Sequence, residues 1–291
     1  MDKYIKAGRI VAKVKEEVLR RIDVGMKILE LADFIEKRII DLGGKPAFPV
    51  NISINEIAAH YTPTYKDERV IEDGDLIKID LGAHIDGYIG DMAFTWCSKP
   101  SSLIRTAEKA IENVILKIRP GITIGEISKI IEDTIKGEHL GPIVNLTGHN
   151  LDRFSFHGNI SIPNVATDSK YEFKEGDVIC LEPFVAPTPG FVKETTTIEI
   201  YRYLQDRPVR LFEAREILQM AKNEFNELPF AKRWLFKKFS PLRVSLALRQ
   251  LEAVNALQSF PVLREVENKP VAQAEHTIIV AEEPIVTTKL K

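Results

Sequence analysis

The chain has 291 residues and a formal net charge of −2 at pH 7, so it has no overall attraction to nucleic acid or to an anionic membrane. Hydrophobic residues make up 44% and charged residues 28% of the sequence, values typical of a globular protein with a substantial core. No apolar run approaches the roughly 20 residues needed to span a bilayer. The two cysteines, Cys97 and Cys180, suggest neither a disulfide framework nor a cysteine-based zinc site. We therefore expect a cytoplasmic enzyme.

The N-terminal segment, residues 1–22, is predicted to form a charged amphipathic helix without the apolar core of a signal peptide. A diverged internal repeat follows it. Gly25 and Gly121 each open a helix-like pattern with identical offsets, 96 residues apart. Further on, EDGDLIKIDLG and KEGDVICLEPF each place a carboxylate, Asp80 or Glu182, six residues after a glycine and 102 residues apart. We predict two related α+β halves in which Asp80 and Glu182 face each other.

The segment LIKIDLGAHIDGYIGDMAFTW is predicted to form a β-hairpin, because Asp86-Gly87 lies between two β-like runs. This loop pairs Asp80 with position 93 and Gly82 with Asp91, which makes the two aspartates diagonal neighbours on one face of the sheet. We also expect Gly82 to leave open space above the sheet. Two solvent-exposed aspartates are the alternative. The apolar and aromatic flanks favour burial, and buried carboxylates need a compensating cation.

Further candidate ligands occur where a charged or imidazole side chain interrupts an apolar or glycine-containing stretch. They are His60 in AAHYTP, His149 in LTGHN, His157 in FSFHGN, Glu182 in LEPF and Glu275 in AQAEHTIIV. Each one alone is more typical of a core, loop or salt-bridge residue, so the argument depends on the set. Four carboxylates and one imidazole carry too much negative charge for one divalent ion but suit two. These donors favour Mn, Fe(II), Co or Zn without selecting among them, and the motifs HExxH, GxSxG and GxxxxGK[ST] are absent.

The pattern becomes helical between the strand-like stretches TTTIEIYRY and VAQAEHTIIV. The segment from about 205 to 261, punctuated by Pro229, Pro241 and Pro261, is predicted to be a helical insertion between two strands of one sheet. Between Leu228 and Leu251 it contains no acidic residue and six basic ones: Lys232, Arg233, Lys237, Lys238, Arg243 and Arg249. Solvated helix faces explain this cluster most simply, and a docking patch for ribosomal RNA is the alternative.

These motifs resemble those of the type 2 methionine aminopeptidases of the short, archaeal form, which have the creatinase-like pita-bread fold. The resemblance covers nearly the whole chain and is carried by GGKPAFPVNISINEIAAHYTP, DLIKIDLGAHIDGYIGD, PIVNLTGH, EGDVICLEPF, LPFAKRWL and AQAEHTIIV. It implies an α+β fold of pseudo-two-fold symmetry, with a central antiparallel sheet flanked by helices. The helical insertion matches the extra subdomain of type 2 enzymes. We expect one catalytic domain over residues 1–291, with the insertion at about 205–261 as its subdomain.

The resemblance also implies a division of labour in a site that holds two divalent metal ions. Asp80 is implied to be a terminal, chelating ligand of one metal. Asp91 and Glu275 are implied to bridge both ions, while His149 and Glu182 complete the coordination of the other. The expected metals are Co, Mn, Fe or Zn.

Substrate contacts follow from the same resemblance. His60 and His157 match the two histidines that contact the scissile peptide and the reacting carbonyl, and Glu182 is the expected proton acceptor. Phe48 and Phe156 fall where the family lines its methionine pocket. One residue departs from the family pattern. Relatives usually carry an aromatic residue at the position of Ala274, so this alanine is expected to change the shape of the pocket wall.

The implied function is metal-dependent removal of the N-terminal methionine from nascent proteins and peptides that have a small second residue, by attack of a metal-bridging hydroxide. The expected partners are nascent N-termini and, through the basic insertion, the ribosome. We expect a monomer that makes no membrane contact. Three alternatives are a prolidase or Xaa-Pro aminopeptidase with the same ligands, an inactive relative that binds ribosomes or RNA, and a calcium-binding hairpin. The complete ligand set and the insertion favour the methionine enzyme.

Overall fold

We describe the protein from a computed structural model, in which residues 1–290 of the chain are placed. The helices are α1 (Asp2–Leu19), α2 (Ile28–Asp41), α3 (Ser102–Ile115), α4 (Ile124–Gly137), α5 (Phe212–Gln219), α6 (Lys232–Leu235) and α7 (Pro241–Ala253), and a π-helical turn covers Met220–Glu224. Strands of the first half are β1 (Lys45–Pro46), β2 (Asn51–Ile54), β3 (Ile57–Ala59), β4 (Ile77–Ile85) and β5 (Tyr88–Trp96). Those of the second half are β6 (Gly141–Pro142), β7 (Thr147–Asn150), β8 (Ser161–Pro163), β9 (Val178–Leu181), β10 (Phe184–Ala186), β11 (Val192–Tyr203), β12 (Phe230–Ala231), β13 (Leu257–Glu265), β14 (Ala272–Gln273), β15 (His276–Ile279) and β16 (Ile285–Val286). Within residues 1–290, no helix has both the length and the apolar character that a membrane crossing requires.

Each half of the chain packs two helices against an antiparallel sheet. In the first half, α1 and α2 share a core with β2, β4 and β5. In the second half, α3 and α4 pack against the strands that include β9, β10 and β15. Ile79 and Leu81 belong to the first core, so Asp80, which lies between them on β4, is directed to the opposite face of the sheet. The faces that the helices do not cover are therefore left to line the interior between the halves.

The predicted repeat is confirmed by equivalent elements in the two halves. Helices α2 and α4, strands β1 and β6, and strands β2 and β7 are each 96 residues apart at both ends. Gly25 and Gly121 have left-handed φ values of 87° and 92°. Their backbone N–H groups donate equivalent hydrogen bonds, to the carbonyls of Ile71 and Phe173, at 2.8 Å in both halves. The same local geometry thus precedes both carboxylate-bearing strands.

The hairpin has the predicted register, but the prediction of open space above the sheet is wrong. Asp80 pairs with Ala93, and Gly82 pairs with Asp91. The loop residues before β5 both have positive φ, 51° for Asp86, as the favoured two-residue hairpin turn requires. The expected open space over Gly82 is absent, because a Cβ there would lie 2.3 Å from the Phe48 ring. An aromatic ring instead covers this part of the sheet.

The helical segment lies between two strands that pair with each other. Helices α5, α6 and α7 connect β11 to β13, and their apolar residues form a core with Tyr201 and Tyr203 of β11. The sheet resumes at Leu257, earlier than the stretch VAQAEHTIIV where the sequence pattern predicts it. Pro261, expected at the end of the helical segment, lies instead inside β13 at a register irregularity opposite Ile198. Whether this segment is a subdomain stays a prediction.

A buried ion pair fastens the helical segment to the first half. The Arg233 guanidinium contacts the Glu36 carboxylate and donates to the Thr62 hydroxyl. The indole N–H of Trp234 donates to Glu36 Oε2 at 2.8 Å. The Thr62 hydroxyl in turn donates to the carbonyl of Val50 at 2.7 Å. The segment AAHYTP is therefore held in place by a residue of the insertion.

Two threonine hydroxyls join the sheets of the halves. Thr277 Oγ1 accepts from the Asp91 N–H and donates to the Asp91 carbonyl, both at 2.8 Å. Thr95 Oγ1 makes the same pair of bonds to Gln273, accepting at 2.8 Å and donating at 2.7 Å. Between these two pairs, the backbone N–H of Glu275 donates across the junction. The backbone groups of Asp91 and Gln273 thus bond to threonine hydroxyls instead of to the backbone of a neighbouring strand. Both contacts lie close to Glu275 in the chain or across the junction.

Replacing Thr277 by valine tests this junction. Valine preserves the shape of the side chain but leaves the N–H and carbonyl of Asp91 without a buried partner, so we expect a loss of about 1–3 kcal/mol in the free energy of unfolding. Thr196→Val, at an exposed position of β11, is the matched control and should stay within about 0.5 kcal/mol of the wild type. Denaturant unfolding in the presence of a chelator measures both. Equal stability of the two variants would contradict the proposed junction.

Candidate metal centre

A cavity of about 300 Å³ lies between the two halves. It is lined by every site residue predicted from the sequence: Phe48, His60, Asp80, Asp91, His149, Phe156, His157, Glu182 and Glu275. These side chains come from strands β4, β5 and β7, from the loop residues after β1, β3, β9 and β14, and from the connection between β7 and β8. The cavity is therefore the point at which the two halves bring their polar residues together.

The imidazole of His149 lies among the carboxylates. Its Nε2 atom is 3.8 Å from Asp91 Oδ2 and 3.6 Å from Glu182 Oε1. Its Nδ1 atom lies 3.3 Å from the carbonyl of Asn150, which assigns the proton to Nδ1 and leaves Nε2 as a lone-pair donor. Asp91 and His149 also belong, with Glu275, to a buried cluster whose ligand atoms lie within 4.8 Å of one another. This is the arrangement that a shared cation requires.

Burial raises the pKa of all four carboxyl groups. The pKa of Asp80 is raised to about 7. Burial, and next the charge of Asp80, raises the pKa values of Asp91 and Glu182 well above the usual range. Burial and the charge of Asp91 do the same to the pKa of Glu275. The groups oppose one another's ionisation, so they need a counter-charge to ionise together.

Unsatisfied oxygen atoms support a cation at this position. Asp91 is 1% exposed, which rules out the alternative of an exposed acidic hairpin. Both of its carboxylate oxygens, and Oδ1 of Asp80, are buried without a hydrogen-bond partner among residues 1–290. Buried polar atoms are normally satisfied, and oxygen donors are typical ligands of divalent metals. The residues present therefore fit a divalent metal.

The three cavity histidines differ in burial: His149 is buried, His60 is half-buried and His157 is exposed. Burial lowers the pKa of His149 to about 4, and desolvation by the surrounding protein also lowers the pKa values of His60 and His157. His60 has a left-handed backbone, φ 63°, of a kind that concentrates at functional sites. Its Nδ1 atom lies 3.2 Å from the carbonyl of Pro261, which leaves Nε2 as an acceptor. These rings can accept or donate single hydrogen bonds without adding charge to the site.

Aromatic rings form one wall of the cavity. The rings of Phe48 and Phe156 are 4.5 Å apart between centroids, and those of Phe156 and His157 are 4.2 Å apart. An apolar side chain can therefore lie beside the polar centre. Ala274, expected to change this wall, packs instead in the core of the second half with α3 and α4. Its small side chain thus leaves the wall unaltered.

Sequence reasoning missed two residues of the centre. Cys180 Sγ belongs to the same cluster as Asp91, His149 and Glu275, although a cysteine-based site was not expected. The Thr277 hydroxyl positions Asp91 through hydrogen bonds to the backbone N–H and carbonyl of Asp91. Both residues lie on strands beside predicted ligands, and Cys180 precedes Glu182 by two positions. That spacing places their side chains on one face of an extended strand, which is the signal that could have identified Cys180.

The site can now be compared with known proteins. Residues 2–222 match metallopeptidase family M24, and the chain is 51% identical over 285 residues to a methionine aminopeptidase of Thermococcus onnurineus, with 97% of each chain covered. The chain belongs to metallopeptidase family M24. A solved methionine aminopeptidase from Thermotoga maritima, 22% identical, covers 99% of this metallopeptidase and 96% of its own chain with a TM-score of 0.70. A thermophilic Arx1, 20% identical, covers 100% and 91% with a TM-score of 0.86.

The two solved structures establish the fold alone, whereas the family match also indicates the chemistry. The structures and the family match together confirm the predicted α+β pita-bread fold. Membership of the family confirms the prediction of a metallopeptidase that uses a divalent metal. The number and identity of its metal ions, and the role of each ligand residue, stay predictions.

The buried carboxylates predict how the stability of the metal-free protein depends on pH. With its pKa raised to about 7, Asp80 binds more protons in the folded than in the unfolded protein between its ordinary pKa, about 3.9, and that value. The free energy of unfolding contributed by this group therefore falls as the pH rises through this window. Asp80→Asn removes the titration, so we expect its stability relative to the wild type to increase by roughly 2 kcal/mol between about pH 5 and pH 7. Denaturant unfolding with a chelator measures the difference.

Asp168→Asn, at an exposed position, is the control for this experiment. Its stability relative to the wild type should not change with pH. A saturating divalent ion should stabilise the wild type at the higher pH, because the bound cation favours the ionised carboxylate and binds only the folded state. If Asp80→Asn and Asp168→Asn gave the same pH dependence, the burial argument would fail.

Proposed function

We propose that this metallopeptidase is a type 2 methionine aminopeptidase that removes the N-terminal methionine from nascent proteins with a small second residue. The observation that carries the proposal is an aromatic pocket directly beside a cluster of four buried carboxylates and one imidazole. The relative that is 51% identical, with 97% of each chain covered, is named methionine aminopeptidase. Type 2 rather than type 1 is supported by the helical segment between β11 and β13.

We assign two divalent metal ions to the centre, each Co, Mn, Fe or Zn. Their ligands are the four carboxylates whose charges are otherwise unbalanced and the imidazole among them: Asp80, Asp91, Glu182, Glu275 and His149. Four carboxylates supply about the charge that two divalent ions neutralise, and the neutral imidazole adds a nitrogen donor. When bound, such ions supply a nucleophile at neutral pH and neutralise the charge that develops on the reacting carbonyl.

The remaining residues orient the peptide and move its protons. Nε2 of His60 is the free acceptor of its ring and can accept from the N–H of the scissile peptide. His157, an exposed residue in the lining of the cavity, hydrogen-bonds the reacting carbonyl oxygen. Glu182 is the carboxylate that we assign as proton acceptor from the attacking water and proton donor to the leaving amine. Its side chain is 14% exposed, compared with 1% for Asp91, so protons can pass from it to the cavity.

Specificity follows from the shape of the cavity. The methionine side chain packs against Phe48 and Phe156, where a thioether gains from contact with aromatic edges. A volume of about 300 Å³, shared with the metal ions and the peptide, leaves room for only a small second side chain. This activity implies a monomeric protein that lies in the cytoplasm and acts on nascent N-termini.

Glu275→Ala tests the metal-dependent function. Loss of one of the carboxylates that would hold the metal ions should abolish tight metal binding and lower the turnover of a Met-Ala-Ser peptide by more than about 100-fold, since loss of residues that only support metal ligands already costs roughly 10–100-fold. Glu283→Ala, at an exposed position, is the control and should keep both properties. Metal binding is measured by titration into the chelator-treated protein. Normal cleavage by Glu275→Ala would contradict the dinuclear centre, and faster cleavage of Xaa-Pro peptides than of Met-Ala-Ser would favour a prolidase.

The proposal includes a contact between the basic insertion and ribosomal RNA. Four of the six basic residues between Leu228 and Leu251 form ion pairs: Lys232 with Glu199, Arg233 with Glu36, Lys238 with Glu216 and Arg243 with Glu213. Lys237 and Arg249 form none within residues 1–290. The charge available to phosphates is therefore smaller than the sequence indicates.

Charge reversal tests this contact. Lys237→Glu combined with Lys238→Glu should weaken cosedimentation with ribosomes at low salt, because each lost phosphate contact lowers affinity and its dependence on salt. Lys117→Glu, at an exposed position outside the insertion, is the control. Salt-sensitive cosedimentation that persists in the double variant would contradict docking through the insertion.

A further inference from the structure

Cys180 is completely buried next to the metal centre, behind the residues that line the cavity. On the sheet of the second half it pairs with His149 on one side and with Thr277 on the other. Directly paired residues present their side chains on the same face, so the thiol lies between the imidazole and the hydroxyl that positions Asp91. Cys180 Sγ is 3.4 Å from Thr277 Oγ1 and is completely buried.

The thiol shares its surroundings with three metal-binding groups. Sγ of Cys180 and one ligand atom each of Asp91, His149 and Glu275 lie within 4.8 Å of one another. Asp91 is 1% exposed, and neither of its carboxylate oxygens has a partner among residues 1–290. The Cys180 thiol therefore lies next to a buried carboxylate whose oxygen atoms still need a polar or cationic partner.

The composition of this set differs from that of the five residues proposed for catalysis. Thiolate, imidazole and carboxylate groups each bind zinc, which is almost always four-coordinate in structural sites, and a thiolate favours soft ions over hard ones. Zinc sites with bonds of about 2.0–2.3 Å place their ligand atoms roughly 3.3–3.8 Å apart. Side-chain rotations that close about 1 Å would bring the four atoms onto one ion.

We propose that Cys180 is an additional metal ligand, which a soft divalent ion uses together with Asp91, His149 and Glu275 to form a closed four-donor site. This inference rests on the proposed metal centre. On binding, the S–H bond breaks, a metal–sulfur bond forms and the proton passes to solvent, with no change of oxidation state. A site filled by four protein donors keeps no open position for water or substrate. Soft ions such as Cd²⁺ therefore occupy the centre in an inactive form, and Cys180 sets which metals support activity.

Cd²⁺ titration monitored by ultraviolet absorption tests this assignment, because a cadmium–thiolate bond adds a charge-transfer band. The probe is CdCl₂ added to the chelator-treated full-length protein. In Cys97→Ser, Cys180 is the sole remaining cysteine of the sequence, so the site is left unaltered while any thiolate band must come from Cys180. We expect one equivalent of Cd²⁺ to produce the band in the wild type and in Cys97→Ser.

Variants of Cys180 itself provide the second arm of the experiment. Cys180→Ser and Cys180→Ala should lose the band and bind Cd²⁺ at least about tenfold more weakly, and circular dichroism verifies that they fold. Absence of the band in Cys97→Ser would overturn the inference, as would its persistence in Cys180→Ala. If wild-type protein cleaves Met-Ala-Ser with Mn²⁺ yet gives no band with Cd²⁺, only this inference fails. If it binds no divalent ion and cleaves nothing, the proposed function fails as well.

Discussion

Repulsion among buried carboxylates is the constraint on which the rest of this molecule depends. Asp80, Asp91, Glu182 and Glu275 reach one cavity from strands and loops of both halves, and the charges of Asp80, Asp91 and Glu182 each raise the pKa of another of these groups. A sheet that buries such groups stores an electrostatic cost, which only bound cations or protons relieve. When no cation or proton compensates these charges, the two helix-covered cores supply the stability that offsets the cost.

The internal repeat explains how a single chain builds such a centre. Equivalent turns at Gly25 and Gly121 lead to equivalent strands. Asp80 lies on β4 of the first half and Glu182 directly follows β9 of the second half, and both side chains line the same cavity. The threonine junction continues the symmetry, since Thr95 and Thr277 make the same pair of backbone bonds from opposite sheets. Binding and structural cohesion therefore use the same strands.

Much of the site could be predicted because short-range rules determine it. The Asp-Gly turn fixes the register that brings Asp80 beside Asp91, and the repeat offset identifies Glu182. Long-range packing was beyond these rules. The Phe48 ring covers Gly82 from a separate segment, and nothing local to Gly82 reports that.

Other differences have similar causes. Pro261 tolerates a strand position because β13 is irregular there, whereas proline in a sequence normally signals an end of structure. The basic cluster of the insertion looks unpaired in sequence, since its partners Glu36, Glu199 and Glu213 lie elsewhere in the chain. Cys180 was overlooked because a lone cysteine has no spacing pattern, and its significance comes from its neighbours across the sheet.

The spread of the ligands along the chain has a consequence for biosynthesis. Of the five proposed ligands, the first half brings only Asp80 and Asp91, and His149, Glu182 and Glu275 follow later in the chain. A chain that has emerged only to the end of β5 therefore offers a metal two of these carboxylates and lacks the proposed imidazole ligand. Loading must await assembly of both halves, so the order of synthesis itself keeps a partly made peptidase without its cofactor. Activity then begins only in a molecule that has completed its own folding.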